Sequence, residues 1–396
     1  MTFAIGVTLF AVGIAVSIAL HEAGHLLTAK AFGMRVRRYF IGFGPKIFSF
    51  RRGETEYGLK AIPAGGFCDI AGMTALDEVT AEEAPRAFYR KPTWQRVVVL
   101  AAGSAMHFLI GILLLYGLAV STGLPTAQAV AGQVSCAADQ VSAQELEPCG
   151  PGVPTPAADA GLRAGDIIIS VGGVPTPTWP DAVAAIQGAR GPTAVVVERE
   201  GAPVTLTMDV APVQRLDPQT GQPRTVGAVG VGPQGTIVYG PLAAVPATLA
   251  YTGNMFVEIT QRIIELPERI PALFEALRGG ERDENTPVSV VGASIIGGDL
   301  AEAGLWVLFV QLLAVLNFFV GVFNLLPLLP LDGGHIMVNL YERGRDWTRD
   351  RLGKPRMPPV DYTRLLPITF VLIIVGGAFS LLVLTADIVN PIRPFD

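Results

Sequence analysis

The residues with the most chemical potential lie inside the first apolar stretch, in the run Ala19-Leu20-His21-Glu22-Ala23-Gly24-His25. On a helix, His21 and His25 stand one turn apart on the same face, where both imidazoles can hold one metal ion. Glu22 lies about 100° further round the helix, beside such an ion and not on it. There it can take a proton from a water that the metal activates, the division of labour of the H-E-x-x-H metalloproteases. Residues 12–18 and 26–29 on either side are almost wholly apolar, and the chain has only 4 histidines, so a chance match is rare. A mid-helix charge in lipid costs roughly 3 kcal/mol and marks function by default.

A catalytic zinc commonly takes three protein ligands and leaves one position to water. The third ligand is sought in Asn324-Leu325-Leu326-Pro327-Leu328-Leu329-Pro330-Leu331-Asp332-Gly333-Gly334-His335. Pro327 and Pro330 must disrupt a helix there and turn the following residues inward. Both Asp332 and His335 remain candidates on spacing alone, although a carboxylate has few other reasons to occupy that position.

Membrane-spanning helices must position these groups. Half of the 396 residues are hydrophobic and only 16% are charged, the composition of a membrane protein. Segments 3–31, 97–120, 305–326 and 365–388 are long enough to cross about 30 Å of hydrocarbon. The first is read as a retained helix, because no basic residue precedes it and its apolar run is too long for a signal peptide. Lysines and arginines crowd residues 33–96 and 343–364, whereas 121–304 contains no lysine. The positive-inside rule therefore makes the two short connections cytoplasmic and the long one, with both termini, extracytoplasmic. At about 1.5 Å per residue, His21, His25 and Asp332 reach a similar depth, toward the cytoplasmic face.

Between the first two spans, the β-prone runs 38–41, 46–50 and 55–60 predict a small antiparallel sheet dipping into the interface. Pro63-Ala64-Gly65-Gly66 is expected to end it, and the charged residues 77–90 read as a surface helix or mobile loop. In the long connection, Cys136 and Cys149 are able to form a disulfide if the compartment is oxidising, worth roughly 3 kcal/mol for so short a loop. Cys68 falls on the other side of the membrane. Residues 127–212 have the pattern of a compact β-rich module with a hairpin at Glu200-Gly201. The run Ala160-Gly161-Leu162-Arg163-Ala164-Gly165-Asp166-Ile167-Ile168 resembles that of a PDZ domain, which binds extended peptides as an added strand. Residues 247–277 read as interfacial helices, and nothing is assigned to the Gly-rich 287–298. The expected organisation is 1–126 as an N-terminal membrane half, 127–212 as the PDZ domain, 213–304 as interfacial helices and 305–396 as the C-terminal membrane half. Basic residues form no long run, which excludes a nucleic-acid footprint, and three cysteines are too few for a disulfide or Cys-zinc scaffold.

Taken together, His-Glu-x-x-His in the first span, the Gly42-Phe43-Gly44-Pro45 β-region, the PDZ-like run and Asn324-x-x-Pro with Leu331-Asp332-Gly333 resemble the site-2 protease family of intramembrane zinc metalloproteases. The resemblance covers nearly the whole chain and points to the bacterial form that processes anti-sigma factors. It implies that His21, His25 and Asp332 bind Zn2+ and that Glu22 is the general base. It also implies that Asn324 holds the substrate and that the β-region around Gly42, Phe43 and Gly44 pairs with an extended stretch of it. The implied location is the bacterial inner membrane, multi-pass, with the PDZ domain extracytoplasmic. The implied substrates are single-span membrane proteins already cut outside, such as anti-sigma factors or signal-peptide remnants. The competing reading is an inactive membrane PDZ receptor or scaffold. One departure stands out: where the family commonly has Gly-Pro-x-x-Asn, this chain reads Gly103-Ser104-Ala105-Met106-His107, and His107 is left without a role and outside the ligand set.

Overall fold

The computed structural model describes residues 1–74, 77–141, 146–216, 222–280, 282–283 and 286–393. The chain folds as two compact units, residues 1–118 with 245–396 and residues 119–244. Helix α1 (Thr2–Ala31) is followed by β1 (Val36–Arg52), β2 (Thr55–Ile70) and α2 (Thr93–Ser121). The two strands meet at the Gly53-Glu54 turn and then pair twice. Phe50 faces Tyr57 and Arg51 faces Glu56, while Phe40 faces both Gly58 and Phe67. Residues 55–59 therefore lie between the two halves of β1, and 66–70 line the far side of 38–41. Contrary to expectation, β2 runs straight through Pro63-Ala64-Gly65-Gly66. Gly65 sits at φ 141°, a conformation that only a residue without Cβ takes readily. Phe43, Ile47, Phe48 and Phe50 are exposed on this sheet, the apolar rim that an interfacial element needs.

The charged 77–90 stretch is neither a surface helix nor a free loop. It forms two short 3₁₀ turns, Ala84–Arg86 and Phe88–Arg90, clamped by ion pairs. Arg37 meets Asp77 and Glu83, each at 2.8 Å, and Glu54 meets Arg35 at 2.5 Å and Arg86 at 2.6 Å. The Arg37 guanidinium holds the Glu83 carboxyl down at about 2. Paired charges, with Phe88 as the buried anchor, replace an amphipathic face.

The second unit contains β3 (Leu124–Pro125), β4 (Ala131–Val134), α3 (Pro156–Asp159), β5 (Ile167–Val171), β6 (Val174–Pro175), α4 (Trp179–Gly188), β7 (Gly191–Arg199), β8 (Ala202–Leu216), β9 (Pro223–Ala228), β10 (Val231–Pro233) and β11 (Thr236–Ile237). Five strands form one sheet in the order β6-β5-β7-β8-β9. The β7–β8 hairpin turns on Glu200 and Gly201, both at positive φ, as a two-residue type I′ turn requires. Ile168, Val171, Val195, Val197, Met208 and Val210 from the sheet bury against Ala182 and Ile186 of α4. Asp166 accepts from the Arg163 amide at 2.9 Å and from Arg199 at 2.7 Å, which pins the Gly161–Asp166 turn. Cys136 and Cys149 are joined by a disulfide. The boundary expected at Pro212 cuts through β8, which continues to Leu216 and pairs with β9, Pro212 facing Gly227. The compact unit is accordingly longer than 127–212.

The chain continues with α5 (Pro241–Glu265), α6 (Ile270–Leu277), α7 (Val290–Glu302), α8 (Trp306–Asn324), α9 (Asp332–Arg351) and α10 (Leu366–Val389). Helix α5 exposes Leu249, Val257 and Ile264. The 287–298 segment, unassigned from sequence, starts α7. Ser289 caps that helix, its hydroxyl accepting from the Val291 and Gly292 amides at 3.2 and 3.3 Å. Its glycines make a close seam with α1: Gly297 lies under the Phe10 ring, and Gly298 meets Phe3 and Val7. At the far end Arg282 and Asp387 form a buried pair at 2.7 Å. Among the described residues, α1, α2, α8 and α10 are long and apolar enough to cross a membrane, and α10 leaves Phe370, Val371, Ile374 and Leu381 exposed.

Candidate metal centre

Helices α1 and α2 approach closely because Gly24 has no side chain; a methyl there would run into the Ala102 carbonyl. Gly103 on α2 clears the space in which both imidazoles sit, since a methyl would overlap the His21 and His25 rings. His25 Nδ1 donates to the Val99 carbonyl at 2.7 Å, which turns Nε2 inward and leaves its lone pair free. Helix α8 stops at Asn324, and the loop 325–331, with Leu329–Pro330 in cis, folds against the start of α9. Gly333 packs on the Leu325 and Leu326 backbone and Gly334 on that of Leu328 and Leu329. This contact sets Asp332, the first residue of α9, facing the two histidines.

The three donor atoms converge. His21 Nε2 and His25 Nε2 are 3.2 Å apart, and each lies 3.4 Å from Asp332 Oδ2. A tetrahedral zinc with bonds near 2.0–2.1 Å needs donor separations of about 3.3–3.4 Å, so the set fits that ion without rearrangement. Both histidines are buried, and His21 Nδ1 is a buried atom with no hydrogen-bond partner. That nitrogen carries the proton when Nε2 binds a metal. Among the described residues, this is the group of His, Cys and acidic side chains close enough to hold an ion.

Glu22 flanks that cluster on the side of β2, close to His21, His25 and Asp332. Its carboxylate lies beside the Cys68 backbone amide, and a side chain at Gly66 would strike its methylene. The strand segment next to Glu22 is thus 66–68, beyond the 38–60 region singled out from sequence. Gly42 and Gly44 adopt φ 87° and 80° and carry Phe43 outward, 44% exposed, with its ring stacked 6.4 Å from Phe67. Asn324 is half-buried at the end of α8. His335 stands outside the donor cluster, its ring stacked on Tyr362 with Nδ1 3.4 Å from the Tyr362 hydroxyl. Burial pushes that hydroxyl up to about 12 and holds the His335 ring below its ordinary value. A cavity of about 370 Å³ lined by Phe88, Arg96, Asn339, Glu342 and Tyr362 opens next to this pair.

His107 is buried, its Nδ1 2.9 Å from Asn317 Oδ1, and its ring centroid is 5.0 Å from that of His21. Sequence reasoning passed over Asn317, although a buried amide in the middle of an apolar span is a signal in itself. The arrangement as a whole can hold one divalent cation with a carboxylate at its side, the equipment for hydrolysis.

Comparison with known proteins agrees. Residues 9–353 match Peptidase family M50. The chain is 48% identical to zinc metalloprotease Rip1 of Mycobacterium tuberculosis over the full length of both and 48% identical to zinc metalloprotease Rip1 of Mycolicibacterium smegmatis, again over both full lengths. It is 26% identical to zinc metalloprotease RasP of Oceanobacillus iheyensis, covering 87% of this chain and 90% of that one.

Proposed function

The chain belongs to Peptidase family M50, the site-2 proteases, and is a zinc metalloprotease; on that premise we propose that it hydrolyses a peptide bond within the transmembrane segment of a single-span membrane protein. The observation that carries this reading is the convergence of His21, His25 and Asp332 within 3.4 Å, at the apolar core of the chain, with Glu22 alongside. His21, His25 and Asp332 would hold the zinc. When bound, zinc acidifies a water and polarises the scissile carbonyl. Glu22 accepts the proton of the attacking water and delivers it to the leaving amine. His25 is kept in the ligating tautomer by the Val99 carbonyl.

A substrate helix hides its carbonyls in its own hydrogen bonds and must be unwound before attack. The β1–β2 sheet compensates the freed groups by strand addition. Its 66–68 segment runs beside Glu22, so the paired stretch would lie next to the base, with Phe43 contacting its side chains and Asn324 its backbone. Substrates of this kind are anti-sigma factors or signal-peptide remnants, trimmed beforehand outside the bacterial inner membrane. The inserted unit that contains β4 to β9 acts as a PDZ domain on that outer face, a placement supported by the distribution of basic residues. The test is cleavage of a candidate single-span protein in vesicles by the wild type and by Glu22→Gln. Cleavage lost only in the variant supports the reading. Equal accumulation of uncut protein with both would leave the PDZ receptor or scaffold reading in its place.

A further inference from the structure

A metal-bound histidine nearly always donates its second ring N–H to an acceptor that fixes its tautomer and orientation. His25 has that acceptor in the Val99 carbonyl. His21 does not: its Nδ1 is buried and unpartnered, and a buried donor left unsatisfied is destabilising. His25, at 4.9 Å between ring centroids, already faces His21 through the two Nε2 atoms; the other neighbouring imidazole is His107, with ring centroids 5.0 Å apart and planes inclined at 46°. Two imidazoles joined by a direct N–H···N bond of ordinary length place their centroids at about this separation.

The protonation of His107 follows from its other neighbour. Asn317 Nδ2 donates to the Leu313 carbonyl at 2.8 Å, so the amide orientation is set and Oδ1 faces His107 as an acceptor. His107 Nδ1, 2.9 Å from that oxygen, must be the N–H. In the neutral ring Nε2 is then a lone pair. Asn317 thereby makes His107 an acceptor, and His21 Nδ1–H is a donor without one.

We propose that His107 and Asn317 form the outer support of the metal centre, a relay in which Asn317 Oδ1 accepts from His107 Nδ1 and His107 Nε2 accepts from His21 Nδ1 when metal is bound. This assigns a role to a histidine that the sequence left without one, and an asparagine in its place would offer an amide oxygen to the same proton. His107 is a positioning residue: it acts on the metal through His21 and touches neither metal nor substrate. The inference rests on His21 being a ligand, as in the preceding reading. Ser104 is the rival acceptor, a buried hydroxyl on the same helix that is also without a partner.

The experiment measures zinc affinity of the full-length protein in detergent by competition with a chromophoric chelator, together with thermal unfolding of the metal-free protein. His107→Leu should weaken zinc binding about 10–100-fold while the metal-free melting temperature stays put or rises. His107→Asn should restore most of the affinity, and Asn317→Leu should lose part of it. His21→Ala should abolish stoichiometric binding; if it does not, the ligand assignment fails first. With that control satisfied, wild-type affinity in His107→Leu overturns the relay, as does a loss confined to Ser104→Ala. X-ray absorption at the zinc edge closes the remaining route: two imidazoles per zinc agree with the relay, and three would make His107 a ligand and overturn it.

Discussion

At the scale of single residues, the centre depends on what is missing from α2 as much as on what α1 carries. Two imidazole nitrogens and a carboxylate oxygen within 3.4 Å of one another repel or share protons unless a cation joins them. About one zinc per chain is therefore expected on elemental analysis. His21→Ala, His25→Ala and Asp332→Ala should each lose most of it. Glu22→Gln should keep the metal and lose activity by about 10²-fold or more, the usual worth of a general base. His335→Ala, whose ring engages Tyr362, should remain loaded; metal loss there with Asp332→Ala still loaded would reverse the ligand choice. Gly103→Val should also lose metal, because its side chain would occupy the space of both imidazoles. The histidine pair and Glu22 were legible in sequence because the helix repeat places them locally; prolines and depth pointed to the segment of Asp332 and His335, and only the family resemblance chose Asp332 between them. The His107–Asn317 bond joins residues 210 apart in sequence, and no local pattern encodes such a contact. Gly103 was legible only as part of a motif, since the reason for a missing Cβ lies on another helix.

At the scale of elements, apolar length predicted the four long helices to within a few residues, because burial in lipid depends on composition and not on partners. Helix α7 escaped notice for the opposite reason. Its glycine-rich sequence has low helix propensity, and what holds it is contact with α1, where Gly297 and Gly298 admit Phe10, Phe3 and Val7. Gly297→Val should overpack this seam and cost about 1–3 kcal/mol, read as a lower unfolding midpoint in detergent with zinc stoichiometry retained. An unchanged midpoint would mean that the seam contributes nothing. The Arg37 clamp was illegible because its partners, Asp77 and Glu83, look like any solvated acids until β1 brings the guanidinium to them. Glu83 titrates at about 2 in the fold against an ordinary value of 4.5. A lowered carboxyl contributes stability that is full above its ordinary value and is lost as pH falls toward the folded value. Hydrogen exchange in residues 77–86, corrected for intrinsic rate, should accordingly rise as pH falls from about 4.5 toward 2. Arg37→Ala should show the raised exchange already at neutral pH; protection equal to wild type would remove the clamp from the account.

At the scale of the whole molecule, the question is what the inserted unit contributes to cutting a peptide bond. Sidedness comes first. Thiols introduced at Glu83 and Arg351 should label only from the cytoplasm and one at Asp181 only from outside, as the distribution of lysine and arginine requires; the reverse pattern would turn the inserted unit inward. With that orientation, the proposed catalytic residues lie toward one membrane face and the PDZ-like module toward the other, and the substrate is what connects them. A substrate carrying a large outer domain must bring that domain up to the module before its span reaches the metal centre, whereas a trimmed one need not. We therefore expect the module to restrict access and to take no part in the chemistry. Its architecture makes the test practicable. Strands β3 and β11 pair side by side, Leu124 facing Ile237 and Pro125 facing Thr236, so the chain enters and leaves the unit at adjacent points, as inserted domains do. Replacing residues 122–240 by a short Gly/Ser linker should join α2 to α5 without strain and avoids cutting β8, as a deletion ending at residue 212 would. The shortened protein must first be shown to insert and to carry zinc. It should then cleave a trimmed substrate at close to the wild-type rate and an untrimmed one faster than wild type. Failure of the folded, zinc-loaded variant on the trimmed substrate would make the module a required docking site, and its sheet edge, not its bulk, would be the part that matters.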